Sequence, residues 1–193
     1  MILLLSIVVL LRADKPVAFH PKPAAEYPNR QTVAGLTIAA DAFTTAKETK
    51  TAFGKLNPNR YGVLPVLVVM QNDSDKALRL DGMRVEYIRP DSRRIQAIPA
   101  DEVRFLYGVE RPKPGVMTPR YPIPGLGRRK KNPLAAFEIE SRAFSAKMLP
   151  PGDFAYGFFY FNTASFPDSV LYITGIVEAA TGQELFYFEI PLE

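Results

Sequence analysis

Apolar and polar residues alternate with a period of two through much of the chain, and that period predicts strands. Met83, Val85 and Tyr87 alternate with Arg84, Glu86 and Ile88, so the two sets project to opposite faces of a pleated strand. A turn at Pro90-Asp91-Ser92 leads into a further strand over 94–98. Val33 to Phe43, with Leu36 and Ile38 on one face, predicts the first strand. Gly62 to Gln71 reads differently: Val63 to Met70 is apolar on both faces. That predicts a central strand packed on both sides, with Pro65 near its start, where no ladder donor is needed.

Turn chemistry divides the rest. Asn72-Asp73-Ser74-Asp75-Lys76 is a turn cluster, after which Ala77-Leu78-Arg79-Leu80 resumes the sheet. Phe144, Ala146 and Met148 alternate with Ser145 and Lys147, which predicts strand. After Pro150-Pro151-Gly152-Asp153, three strands over 154–161, 170–177 and 184–192 close the chain, the last two joined around Thr181-Gly182. Helix signals are few. Thr45 to Phe53 ends at Gly54, a natural C-cap. Pro99-Ala100-Asp101-Glu102 opens a short helix reaching Tyr107, and Asn132-Pro133 opens another over 134–142. The proline-rich stretch 108–131 between them predicts a long loop.

These elements predict a mainly β fold: an immunoglobulin-like Greek-key sandwich of about seven or eight strands with a helix and loop insertion at about 99–143. The chain has no tryptophan and no cysteine, so the antibody-type core signature is absent. Three parts are expected: residues 1–13, a proline-rich linker over 14–32 (prolines at 16, 21, 23 and 28), and the sandwich over 33–193.

Ile2 to Leu11 is almost unbroken in its apolarity and is followed by Arg12-Ala13-Asp14. As helix it would cover about 15 Å, half of a hydrocarbon core of about 30 Å. No transmembrane span is therefore expected. The run matches the apolar region of a signal peptide with cleavage near Ala13, which implies a periplasmic or secreted protein. No cysteine follows to carry a lipid anchor. The alternative is a buried N-terminal strand.

Two segments resemble a broad set of uncharacterised bacterial extracytoplasmic immunoglobulin-like sandwich domains. One runs from Val66-Leu67-Val68-Val69-Met70 through Asn72-Asp73-Ser74-Asp75 to Leu78-Arg79-Leu80. The other runs from Leu149-Pro150-Pro151-Gly152-Asp153 to Gly157-Phe158-Phe159-Tyr160-Phe161. The resemblance spans about residues 33–98 and 144–193. It implies a fold and a compartment, with no activity to carry over.

Composition narrows the chemistry. Apolar residues at 47% and charged residues at 23% suffice to close a core. Without cysteine there is no disulfide, thiolate nucleophile or iron–sulfur cluster. The single histidine, His20, falls in the predicted linker, so a His-dependent triad and a multi-histidine metal site are excluded. Neither a Gly-x-Ser-x-Gly elbow, a phosphate loop nor a dinucleotide glycine motif occurs. No cofactor and no metal is expected, and the chain is read as non-catalytic. Two carboxylates would suffice for a glycan hydrolase, but Glu138/Glu140, Asp101/Glu102 and Asp73/Asp75 read as helix-surface and turn residues. Asp73, Asp75 and Asp81 lack the spacing of a calcium loop and read as turn stabilisers.

Two features point to binding of an envelope protein or an anionic polymer. Residues 111–131 carry seven cations, four of them consecutive (Arg128, Arg129, Lys130, Lys131), and no acid. The whole chain carries only +4, so the remainder is acidic. Such a segment could dock on an anionic envelope surface; nucleic acid is not expected as its partner, given the signal-like N-terminus. In the closing strands, Phe186, Phe188 and Ile190, with Leu171, Ile173 and Val177, read as core faces. Tyr172 and Tyr187 fall on the opposite face, where Tyr156 and Tyr160 would join them. A row of tyrosines is expected to be covered by the 99–143 insertion, through Leu134, Phe137 and Ile139, since large exposed apolar patches are rare on monomers. Otherwise it is a contact surface.

Export is testable directly. N-terminal sequencing of the protein from its own host should find Asp14, or a neighbour, as the first residue of an extracytoplasmic chain. An intact Met1 on cytoplasmic protein would remove the export expectation.

Overall fold

The computed structural model describes residues 19–107 and 132–192. Strand makes up 37% of the described residues and helix 20%, so the protein is mainly β. The first sheet has the order β1-β2-β3-β8, from β1 (Arg30–Val33), β2 (Leu36–Ala42), β3 (Leu64–Asn72) and β8 (Phe154–Phe161). The second has the order β11-β9-β5-β6, from β5 (Arg84–Ile88), β6 (Arg94–Gln96), β9 (Ser169–Thr174) and β11 (Phe188–Leu192). A small third sheet joins β4 (Leu78–Arg79), β7 (Met148–Leu149) and β10 (Val177–Glu178). All pairings within these sheets are antiparallel.

The two larger sheets enclose one core. Leu36 and Ile38 of β2, Val66, Val68 and Met70 of β3 and Phe161 of β8 meet Val85, Tyr87, Leu171, Ile173, Phe188 and Ile190 of the second sheet. Both seams between the sheets are tied. The Glu189 amide donates to Gln31 Oε1 at 2.7 Å on one side, and the Ile98 amide donates to the Tyr160 carbonyl at 2.7 Å on the other.

β3 has the two-sided burial its sequence predicts, because a second core lies on the outer face of the first sheet. Leu67, Val69, Ala39, Phe158 and Tyr160 are covered there by Phe53 of α1 (Ala46–Phe53), Val103 of α2 (Ala100–Val103), Leu134, and Ile139 of α3 (Phe137–Ser141). α1 starts in a reciprocal cap, with the Glu48 amide donating to Thr45 Oγ1 and the Thr45 amide to Glu48 Oε2. The buried Tyr160 hydroxyl donates to the Ile139 carbonyl at 2.7 Å, so the layer is fixed by direction as well as by area. Among the described residues no helix is long and apolar enough to cross a membrane.

Several expectations need correction. The described parts of the insertion, residues 99–107 and 132–143, pack on the first sheet and not on the tyrosines of the second, and Phe137 remains 75% exposed. Tyr156 and Tyr160 lie on β8, away from Tyr172 and Tyr187, and Tyr160 is buried. Phe186 is 80% exposed, because regular pairing of β11 begins only at Phe188. From Phe19 on, the predicted linker is packed: Ala24 is buried, and the Phe19 ring lies 5.5 Å from that of Phe158. The first strand is a hairpin. Ala34 and Gly35 both have positive φ (49° and 79°), forming the tight turn that joins β1 to β2. A Cβ at Gly35 would stand 2.9 Å from Ser74 Cβ, so this glycine also admits the neighbouring turn.

Asn72 secures that turn. It is completely buried, and its amide nitrogen lies 2.8, 3.1 and 3.0 Å from the carbonyls of Lys76, Leu149 and Pro150. Its Oδ1 accepts from the Ser74 amide and hydroxyl. Asn72→Ala is expected to cost about 3 kcal/mol in denaturant unfolding, since it leaves several buried polar groups without partners. Asn72→Asp should cost at least as much, because a carboxylate would face three carbonyls. An aspartate variant as stable as wild type at neutral pH would show that these bonds contribute nothing.

Candidate functional site

Among the described residues, no helical layer lies over the outer face of the second sheet. Tyr172 of β9 and Tyr187, just before β11, stack there with ring centroids 5.4 Å apart and planes inclined at 29°. Strand geometry brings them together. Tyr172 is paired with Glu189, and Tyr187 lies two residues before Glu189, on the same face and one diagonal step away. On the other flank Tyr172 is paired with Glu86 of β5. The Arg94 guanidinium of β6 lies 5.0 Å from the Tyr172 ring centroid and forms a 2.9 Å ion pair with Glu86. The ion pair holds the guanidinium against the ring, a favourable arrangement for a cation over an aromatic face.

Tyr187 is 50% exposed, and its chain neighbour Phe186 is 80% exposed. Aromatic rings and arginine in one surface patch are the residue types that concentrate binding energy at protein interfaces. The two tyrosines singled out in the sequence are thus adjacent in space. Arg128, Arg129, Lys130 and Lys131 lie outside the described residues.

A second feature escaped the sequence reading. A cavity of about 310 Å³ lies between the 19–29 segment and the outer face of the first sheet, and His20, Lys22, Glu26, Tyr27 and Asp41 line it. Asp41 is half-buried on β2, and its carboxyl titrates above the ordinary carboxylate range. Burial is the main cause, the negative charge of Glu48 adds to it, and Lys22 opposes it. The Tyr27 phenol is pushed up mainly by burial, with smaller contributions from Asp41 and Glu26. The signal was present in the sequence: Asp41 is the one charged residue in the run Leu36 to Phe43, where Thr37 is the other polar one. The expected linker, however, gave it nothing to be buried against.

Glu140 is ion-paired with Arg104, and Asp73 accepts from the Gln71 side chain at 3.2 Å.

No family profile matches the chain, and no curated protein does. Among solved structures, the chain is similar to the YjhA protein of Bacillus subtilis at 7% identity and a TM-score of 0.40, over 86% of this chain and 98% of that one. It is also similar to the structural-genomics target SoR45 at 10% identity and a TM-score of 0.32, over 82% and 83% of the two chains. Both likenesses are too distant to carry fold or function across.

Asp41 gives a pH test. Its folded state resists ionisation, so its stabilising contribution is complete below the ordinary carboxyl value of about 3.9 and is lost as pH rises through the raised value. Asp41→Asn should therefore melt above wild type at pH 7, and the difference should vanish below about pH 4. Thermal melts across that range check it; equal melting at pH 7 would show that the buried charge costs nothing.

Proposed function

We propose that this protein is an immunoglobulin-like sandwich that acts outside the cytoplasm as a non-catalytic binding module, docking a partner protein of the envelope through the outer face of its second sheet. The observation that carries the reading is the Tyr172–Tyr187 stack, braced by Arg94 and flanked by an almost fully exposed phenylalanine. Rings on a sheet bury large area with little loss of side-chain freedom, so a rigid aromatic stripe suits protein contact.

Strand order supports the immunoglobulin-like part. β2-β3-β8 facing β11-β9-β5-β6 has the connectivity of strands A-B-E facing G-F-C-C′. The chain crosses between sheets at β3 to β5, at β6 to β8 and at β8 to β9, as a Greek key requires. On this reading β5 corresponds to strand C, and its buried Tyr87, 5.8 Å from the Phe161 ring, would stand in for the core tryptophan that antibody domains carry on that strand. The extracytoplasmic part rests on the apolar run from Ile2 to Leu11 and its signal-like flank.

Immobilised protein should capture a specific envelope protein that a Tyr172→Ala/Tyr187→Ala variant loses. The expected loss is about thirtyfold in affinity, corresponding to about 2 kcal/mol for a central aromatic pair. Both side chains lie outside the core, so the variant should keep its circular-dichroism spectrum and nearly its melting temperature. Undiminished capture by the folded variant would sink the reading.

A further inference from the structure

The helical layer leaves a groove on its outer surface, well away from the tyrosine face. It has a volume of about 780 Å³ and runs between α1 with the following 54–61 segment on one side and residues 132–138 on the other. Lys50, Lys55 and Arg60 line it, and Glu138 is the one acid among its described lining residues. Elsewhere arginine and lysine are commonly matched: Lys76 with Glu178, Arg79 with Asp81, Arg89 with Asp91, Arg94 with Glu86 and Arg104 with Glu140. Lys50 and Arg60 form no ion pair with any described residue.

Lys50 has a structural use, since it lies in the last turn of α1 beside the negative end of the helix. Arg60 has no such use. It belongs to a separate short turn, Pro58–Tyr61, that Asn59 anchors through its side-chain bonds to the carbonyls of Phe43 and Thr44. The anchored turn therefore holds an exposed guanidinium on the same side of the groove as Lys50, with Glu138 the charged residue on the opposite side.

We propose that this groove binds a linear phosphate-bearing polymer. Charge selects an anion: the lining cations outnumber the single acid. Form suits a chain laid along the groove, since Lys50 and Arg60 both line it. The volume exceeds what one phosphate fills and accommodates several units of a chain. Phosphodiester and polyphosphate groups keep their charge at all physiological pH values. They also present paired oxygens to the planar fork of arginine, while lysine meets them as a point charge.

The test uses the full chain and inorganic polyphosphate, with poly-L-glutamate as the carboxylate control, measured by titration calorimetry. Polyphosphate should bind, weaken as salt rises from about 50 to 200 mM, and outcompete poly-L-glutamate. Lys50→Gln/Arg60→Gln should weaken binding about tenfold or more, in line with the loss of two phosphate contacts. The control variant Arg84→Gln/Arg93→Gln removes the same charge from the second sheet and should bind as wild type. Both variants should stay folded, the groove variant melting slightly below wild type because Lys50 no longer faces the negative end of α1. Equal weakening by the two variants would reduce the effect to net charge and overturn the proposal. So would undiminished binding by the groove variant, or equal affinity for poly-L-glutamate. Capture through Tyr172 and Tyr187 is measured separately, on residues that do not line this groove.

Discussion

A fully buried amide must have every bond made inside the protein, and Asn72 sets the terms for one whole end of this molecule. Its nitrogen serves the carbonyl of Lys76 nearby and those of Leu149 and Pro150, 77 and 78 residues further along the chain, while its oxygen holds the Ser74 turn. Its backbone does the same work: the Asn72 amide donates to the Asp153 carbonyl, and the Gly152 amide donates to the Asn72 carbonyl. The β3–β4 turn and the β7–β8 turn are thereby one unit. Because buried unsatisfied groups are costly, each turn forms correctly only when the other is in place. The register of β3 against β8, from Leu64 opposite Phe161 to Gln71 opposite Phe154, starts from this point.

That register then decides which surfaces are left for function. With β3 and β8 aligned, Phe158 and Tyr160 point to the helical layer, and Phe161 points to the sandwich core. At Gly157 the backbone of Phe144 crosses so closely that an added Cβ would lie 2.4 Å from its Cα. Only glycine admits this crossing, over which the Phe144 amide donates to the Phe158 carbonyl and the Phe158 amide to the Arg142 carbonyl. The insertion is thus committed to the first sheet by main-chain bonds as well as by apolar contact. Among the described residues, no second layer covers the outer face of the second sheet, where Tyr172 and Tyr187 stack.

Much of this could be read in the residue pattern, and the failures have physical causes. The two-sided burial of β3, the span of β8 and the limits of α1 follow from local periodicity and caps, which need no knowledge of neighbours. The two turn clusters were visible as separate motifs, but their union through Asn72 was not, since a sequence does not say which carbonyls a buried amide will meet. Val33 to Phe43 looked continuous because Ala34 gives no turn signal, although it adopts positive φ. Prolines 21, 23 and 28 were read as a linker. They rule out regular structure but permit packing, and Phe19 and Ala24 pack. Tyr172 and Tyr187 were legible as one face by simple alternation. The layer expected over them failed because alternation gives the face a side chain takes within its strand and is silent on which sheet an insertion covers.

The charged residues complete the division between the layers. Around the second sheet, charge serves the rings: Glu86 holds Arg94 against Tyr172, so the cation is matched and adds rigidity instead of long-range field. On the helical layer, Arg60 is held by a turn whose bonds run through Asn59, and its own charge is left unmatched among the described residues. A paired cation on an aromatic surface favours a partner that makes close, desolvated contact, whose binding depends little on salt. An unpaired one beside a groove favours an anion, whose binding is screened by salt. The same residue type therefore carries opposite ionic-strength behaviour on two faces of one small domain, and the difference follows from whether a carboxylate lies across the strand.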